Sequence, residues 1–238
     1  MSQSDGIALV TGANRGIGRE VARQLAAEQG YKVLLSARNG EQAGAVAAEV
    51  AQSTAGAIIP LTLDVSSPQS IEKAAGEVMA NPGRLDVLVN NAGVGLDFGV
   101  PGVAPNFEKI QRTLETNFFG AYRLTVALLP LLRESKHPRV VNVSSGMGGV
   151  AEMGGWSPGY RVSKASLNAL TRILSTELAG DGFKVNSACP GFVKSDMGAP
   201  MGAQKSLKDG AAGIVWLATL ADDGPTGGFF RDGTPVVF

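Results

Sequence analysis

The sequence predicts a doubly wound α/β fold, a parallel sheet with helices on both faces stacked as a three-layer sandwich. Three observations lead there. Short apolar runs alternate with longer stretches of helical period almost to the C-terminus, the rhythm of repeated βαβ units. The apolar runs are nearly unbroken in Val, Leu and Ile, as strands covered on both faces require. The composition, 44% hydrophobic and 18% charged over 238 residues, supplies enough apolar side chains for one large core. Residues 1–238 are therefore read as a single domain that includes the C-terminal segment, without internal repeat, low-complexity tract or linker.

Taken in order, candidate strands lie at Ile7 to Val10, Lys32 to Ser36, Ala57 to Leu63, Leu85 to Asn90, Arg139 to Val143 and Lys184 to Ala188. Helical patterns run from Gly16 to Glu28, Glu41 to Gln52, Pro68 to Met79, Asn106 to Arg133 and Pro158 to Leu178. The fourth is long for a globular helix, and Pro130, which has no amide donor, is expected to kink or shorten its end. From Pro190 onward Gly, Pro and Met become frequent. Gly198 to Gly202 reads as loop ahead of a last helix around Leu207 to Leu220.

Charge excludes several classes of partner. Lys+Arg and Asp+Glu are both 21, so no basic excess recommends nucleic acid or an anionic membrane. No apolar run approaches the roughly 20 residues of a membrane span, and the polar stretch Met1 to Gly6 leaves no room for a secretory signal. With the single cysteine Cys189, no internal disulfide can form, and a soluble cytoplasmic protein is the expectation. The single histidine, His137, precedes Pro138 in a polar turn, and no His, Cys or acidic cluster has ligand spacing, so no metal is expected.

Between the first strand and first helix stands Thr11-Gly-Ala-Asn-Arg-Gly-Ile-Gly18. Glycine lets a pyrophosphate approach the backbone, and the helix N-terminus offers unpaired amides and a positive dipole end. Gly12, Asn14, Arg15, Gly16, Ile17 and Gly18 are thus candidate phosphate-binding residues, the alternative being a tight turn without a ligand. The spacing Gly-x-x-x-Gly-x-Gly differs from the usual dinucleotide fingerprint. It resembles the opening motif of the short-chain dehydrogenase/reductase family, and that resemblance implies a Rossmann-type fold holding a nicotinamide cofactor.

An acid at the end of the second strand, about twenty residues on, favours NAD. Here Leu34-Leu-Ser-Ala-Arg-Asn39 has none. Ser36 leaves room for a 2′-phosphate, Arg38 can bond it and Arg15 is a second cation, so NADP(H) is expected. The alternative is that both arginines are solvated surface cations. Asp64 and Val65 match the family position that contacts adenine, although Asp64 could equally cap the helix near Pro68. Asn91, Ala92 and Gly93, within Asn90-Asn-Ala-Gly93, match the family segment that supports the sheet and lies against the cofactor ribose.

Tyr160 and Lys164 stand four residues apart, which places both on one helix face. A phenol with an ordinary pKa of about 10 is a poor base at neutral pH, and a neighbouring ammonium should move it toward the working range. Ser145 follows the fifth strand, at the carboxyl end where α/β folds place ligands. The resemblance makes Ser145 rather than Ser144 the catalytic serine and adds Asn117, which in the family holds a water linking the lysine to solvent. The bland reading of Asn117 is a side chain paired with a local carbonyl. The family segment after the sixth strand holds the nicotinamide carboxamide, which assigns Pro190, Gly191, Val193 and Ser195 to the cofactor. Met147, Met153, Trp156, Phe192 and Met197 are candidate walls of an apolar substrate pocket.

Matches run in the family's order from Thr11 to Ser195, and within it the Ser-Ala-Arg and Cys189 segments look most like carbonyl reductases. The resemblance implies an oxidoreductase that reduces a ketone or aldehyde with NADPH, Tyr160 moving the proton, with Tyr160 and Lys164 also contacting the cofactor and Lys164 holding the nicotinamide ribose. The alternatives are a biosynthetic dehydrogenase for a steroid, polyol or 3-oxoacyl thioester, and a non-catalytic NADP(H) sensor. Only fourteen residues separate Ser145 from Tyr160, where those reductases carry a long insertion over the face that other members use to associate. Monomer and homodimer are both open, the dimer forming through the Asn106 and Pro158 helices.

Overall fold

The computed structural model describes residues 6–54 and 56–238, so the reading of the first five residues lies outside the described part. The chain runs β1 (Ile7–Val10), α1 (Gly16–Ala27), β2 (Lys32–Ala37), α2 (Gly40–Ala51), β3 (Ile58–Thr62), α3 (Pro68–Ala80) and β4 (Val87–Asn90). It continues through α4 (Phe107–Leu114), a π turn (Glu115–Gly120), α5 (Ala121–Arg133), β5 (Arg139–Val143), α6 (Pro158–Glu177) and β6 (Lys184–Cys189). The last elements are α7 (Leu207–Ala218), β7 (Phe229–Arg231) and β8 (Thr234–Pro235).

These strands form one sheet in the order β3-β2-β1-β4-β5-β6-β7-β8, parallel throughout except for the antiparallel β7 and β8. Alternation along each strand explains the unbroken apolar runs. In β1, Ile7 and Leu9 pack with α3, α5 and α6 through Ile71, Leu124, Leu128 and Leu167. Ala8 and Val10 face the opposite way and pack with α1 and α7 through Val21, Leu25 and Ile214. Both faces of the strands are therefore mainly apolar, and the sandwich has three layers. The chain moves outward from β1 to β3 and then returns to β4 on the other side of β1. That reversal opens a crevice at the carboxyl ends of the strands, where every connecting loop begins.

Two expectations are corrected. The long helix is broken not at Pro130 but at residues 115–120, where the hydrogen-bond step widens to a π turn, and α5 runs through Pro130 to Arg133. The proline removes only the bond to the carbonyl of Val126, on the side of α5 where Tyr122 and Val126 lie exposed and water can replace it. The short β7 and β8 were not expected. Three- and two-residue strands show no periodicity, and β7 forms because Ser187, Ala188 and Cys189 of β6 offer it a parallel edge.

A polar ladder crosses the middle of this apolar sheet. Asn90 Nδ2 donates to Thr125 Oγ1 at 3.0 Å and to Asn142 Oδ1 at 2.9 Å; Asn142 Nδ2 donates to Thr171 Oγ1 at 2.8 Å, which meets Ser187 Oγ at 2.8 Å. The ladder joins β4, β5 and β6 to α5 and α6 in the layer just beneath the crevice. Thr171→Val keeps the shape but leaves the Asn142 amide and the Ser187 hydroxyl unpaired in a buried site. It is expected to lower unfolding free energy by about 1–3 kcal/mol, read by urea denaturation.

Candidate active site

One groove of about 730 Å³ runs along the carboxyl ends of the strands and is lined from the loops after β1, β2, β3, β4, β5 and β6. Its size suits a large organic ligand. The loop after β1 is held rigidly. Thr11 Oγ1 accepts from the amides of Asn91 and Ala92, both at 2.9 Å, while Asn91 Nδ2 donates to the carbonyls of Thr11 (2.8 Å) and Gly12 (3.2 Å). Glycine is required twice here. Gly12 sits at φ +61°, and a Cβ on Gly18 would stand 2.3 Å from Asn91 Nδ2 and 2.7 Å from the Gly12 carbonyl.

Four helix starts are closed by their own side chains: Asn39 for α2, Ser67 for α3, Asn106 for α4 and Ser206 for α7. At α1 the cap residue is Arg15, whose side chain makes no cap bond, and the first turn carries no acid. Its amides and positive dipole end are therefore open toward the groove, the arrangement an anion needs. Gly12, Asn14, Arg15, Gly16, Ile17 and Gly18 all line the groove there.

At the end of β2 the structure corrects one residue. Ser36 is fully buried, its hydroxyl has no hydrogen-bond partner, and it does not reach the groove. Ala37 is the small residue on the wall, followed by Arg38 and Asn39, because alternation along the strand turns Ser36 inward. Arg15 lies 3.1 Å from Asp196, an exposed pair that spans the groove mouth. Asp64 and Val65 line the groove, and Asp64 Oδ1 accepts from the Ser66 amide (2.9 Å) and hydroxyl (2.7 Å). The α3 cap is Ser67, so Asp64 does not serve as that cap.

Asn91, Ala92, Gly93, Pro190 and Ser195 also line the groove; Gly191 and Val193 do not. Gly191, at φ +81°, lies under the Lys205 side chain, and the Val193 side chain is buried against Gly210. Asn39 and Asp196 are wall residues that the sequence reading passed over, each a near neighbour of a motif residue, while Met197, expected on the substrate wall, does line the groove.

Toward one end of the groove the β5 and α6 segments meet. Lys164 is buried, its Nζ 2.8 Å from the Val143 carbonyl and 5.7 Å from the centre of the Tyr160 ring. Burial lowers its pKa to about 8, with Cys189 opposing. Burial likewise pushes the Tyr160 phenol up, the Ser145 hydroxyl bond pulls it down and Cys189 raises it. The net direction is upward, so the expected lowering is not met by the chain's own groups. Ser144 is buried on the groove wall, its hydroxyl donating to the Lys164 carbonyl at 3.3 Å. Ser145 is half-buried beside the phenol, to which its hydroxyl bonds, rather than on that wall, and its oxygen accepts from the Met147 amide at 3.2 Å.

Asn117 sits inside the π turn. Its Oδ1 accepts from the Val94 amide and its Nδ2 donates to the Val94 carbonyl, both at 2.8 Å, and to Ser163 Oγ at 3.0 Å. Its amide hydrogens are thus both committed, one on the carbonyl of Val94 in the loop after β4 and the other on Ser163 Oγ of α6, rather than on a local carbonyl. A Cβ on Gly93 would stand 3.3 Å from Asn117 Oδ1 and 3.4 Å from Lys164 Nζ, so glycine lets the two approach. Among the described residues no cluster of three or more His, Cys, Asp or Glu could hold a metal, and no helix is long and apolar enough to cross a membrane.

The short chain dehydrogenase family model matches residues 6–206. Carbonyl reductase 1 of Mus musculus, named for NADPH, is 35% identical over 277 residues, covering 98% of this chain and 98% of its own. The (+)-neomenthol dehydrogenase of Capsicum annuum is 33% identical over 300 residues, covering 94% of each chain. That alignment is longer than this chain, so the relative carries residues absent here. Among solved structures, NADPH-bound carbonyl reductase from chicken fatty liver superposes with a TM-score of 0.84 at 27% identity, covering 97% of this chain and 98% of that one.

The buried ammonium has a measurable consequence. Below pH 8 both folded and unfolded chains hold the Lys164 proton, and the folded state carries the full burial penalty. Between about 8 and its ordinary 10.5 only the unfolded chain holds it, so stability rises with pH. Relative to Lys164→Met, the native chain should gain up to about 3 kcal/mol across that window, read by denaturant unfolding at pH 7 and at steps up to pH 10.

Proposed function

The chain belongs to the short chain dehydrogenase family, and on that premise we propose that it is an NADP(H)-dependent oxidoreductase reducing a ketone or aldehyde carbonyl to an alcohol, reversibly. The observation that carries this reading is the meeting of Tyr160, Ser145 and Lys164 at one end of a groove whose other parts are a glycine turn and an uncapped helix start.

The nicotinamide, when bound, gives the carbonyl carbon a hydride or takes one from the alcohol. All else falls to side chains of this protein. The α1 amides would hold the pyrophosphate, and Arg38 would bond the 2′-phosphate beside the small Ala37. Ser145 donates a hydrogen bond to the carbonyl oxygen, and Tyr160 releases its proton to that oxygen. A phenol kept protonated by burial suits the donor role in reduction. Lys164, with a pKa of about 8, stands on the same helix face to stabilise the phenolate that results. Asn117 fixes the loop at Val94 and the Ser163 hydroxyl one turn from Tyr160.

Substrate meets apolar surface. Met153, Trp156, Phe192 and Met197 are exposed large hydrophobic residues on the loops after β5 and β6, with Met147 two residues after the serine, and of the five Met197 lines the groove itself. Such a wall favours an apolar carbonyl compound, which agrees with a relative named for neomenthol.

Tyr160→Phe is expected to lower turnover by about 10²- to 10⁴-fold with NADPH affinity, followed by its fluorescence, little changed. Native turnover in that variant overturns the assignment. Ala37→Asp combined with Arg38→Ala should shift the NADPH to NADH ratio of kcat/KM toward NADH by about tenfold or more, since the lost charged hydrogen bond is worth about 1.5–3 kcal/mol. An unchanged ratio in steady-state assays with both cofactors would remove Arg38 from the 2′-phosphate site.

A further inference from the structure

Helix α6, which carries Tyr160, begins in an unusual way. The chain approaches it through Trp156 (φ 65°) and Ser157 (φ 56°), two consecutive non-glycine residues in the left-handed region, and Ser157 supplies no side-chain cap to the helix. Such a conformation persists only where its surroundings hold it. Part of the hold is local: Arg161 Nε donates to the carbonyls of Gly155 (3.1 Å) and Trp156 (2.9 Å). The remainder comes from the loop after β4. The Ser157 amide donates to the Val100 carbonyl at 2.8 Å, and the Gly99 amide donates to Ser157 Oγ at 3.3 Å.

The decisive group in that loop is Asp97, whose carboxylate is 0% exposed. Its Oδ2 accepts from the Gly159 amide at 2.5 Å and its Oδ1 from the Tyr160 amide at 3.1 Å. Because Pro158 has no N–H, these are the amides the first helical residues can offer. They are capped from sixty-two residues upstream, whereas α2, α3, α4 and α7 use their own cap residues. There is no slack in the contact: a Cβ on Gly159 would stand 3.0 Å from Asp97 Oδ2 and 2.9 Å from the Ile110 Cα. The next residue, Phe98, packs its ring on the Tyr160 ring, centres 4.8 Å apart and tilted by 51°. Phe98 lies so close over Gly95 that any side chain there would overlap it, at 2.1 Å.

We propose that Asp97 and Phe98 are positioning residues for the reaction: Asp97 fixes the backbone of Tyr160, Phe98 fixes its ring, and together they set where the phenol stands between Ser145 and Lys164. The proposal rests on the reading of Tyr160 as the group that moves the proton. One short loop then aligns both sides of the site, since Val94 in the same loop holds Asn117. Neither residue touches the glycine turn or the wall formed by Arg38, so cofactor binding is not what they govern.

The test compares Asp97→Asn and Phe98→Leu with the native enzyme, with rates normalised to NADPH-binding sites titrated by fluorescence. Asp97→Asn keeps the volume but sets an amide N–H₂ against one of the two backbone donors; Phe98→Leu keeps apolar bulk without the ring. Both should lose about tenfold to a hundredfold in kcat, as small misplacements of reacting groups do, with the NADPH dissociation constant and its KM unchanged. A purely structural role predicts something different, a fall in binding sites with native kcat per site, and that result overturns the proposal. Should Asp97→Asn not fold, Phe98→Leu alone decides. Tyr160→Phe, measured beside them, separates two failures. If it stays active, the tyrosine reading falls and this proposal with it; if it is inactive while Asp97→Asn and Phe98→Leu keep native kcat, only the positioning proposal falls.

Discussion

A buried ammonium is the constraint around which the site is arranged. Removing a cation from water costs several kcal/mol even after relaxation, and Lys164 meets that cost with one strong contact, the Val143 carbonyl at 2.8 Å. Satisfying it requires β5 to end where it does and α6 to pass directly over that end. The loop after β4 must then present glycine, since Gly93 faces both Lys164 Nζ and Asn117 Oδ1. Asn117 can reach that loop only because the helix widens around it at Glu115–Gly120. Burial leaves the lysine with a pKa of about 8, close to neutrality, so the group that strains the fold is also the one chemically ready to respond to a neighbouring phenol.

Beneath this arrangement the polar ladder from Asn90 to Ser187 does what apolar packing alone could not. Apolar contacts between helices and a sheet tolerate small slides, whereas paired amides and hydroxyls in a low-dielectric core are costly to separate. The residues that follow the ladder along their strands are Asn91, Val143 and Ala188, each leading into a loop at the groove. Register errors between β4, β5 and β6 would thus break hydrogen bonds before they displaced the loops above.

Much of this was legible in the sequence, for physical reasons that differ by element. The strands were visible because burial on both faces forces runs of Val, Leu and Ile, as in Val87 to Val89 and Val140 to Val141. The groove loops were visible because glycine, asparagine and the Tyr160 to Lys164 spacing encode local geometry. What stayed hidden depended on distant partners. The sheet phase that turns Ser36 inward and Ala37 outward cannot be told from an unbroken apolar run. The π turn leaves no mark in helical periodicity, and Pro130, the obvious breaker, sits where its lost bond can be replaced by water. Asp97 and Phe98 carry no local signal because their partners lie some sixty residues away.

Two arginines compete for the role of phosphate ligand, and their surroundings separate them. Arg15 is bound to Asp196, yet both side chains are about two-thirds exposed, at 70% and 67%. An ion pair in that setting contributes only about 0–1 kcal/mol, less than the roughly 1.5–3 kcal/mol of a hydrogen bond to a charged group. A cofactor phosphate in the groove would therefore outcompete Asp196 for Arg15, while the pair would still cost the arginine part of its gain. Asp196 also puts a negative charge at the mouth of the groove, which works against an anionic ligand there. Arg38 stands exposed just after β2 beside the small Ala37 and has no ion pair with Asp196. In the proposed NADP(H) reading, discrimination for a 2′-phosphate would accordingly rest more on Arg38 than on Arg15, whose exposed pair with Asp196 ties the glycine turn only weakly to the loop after β6.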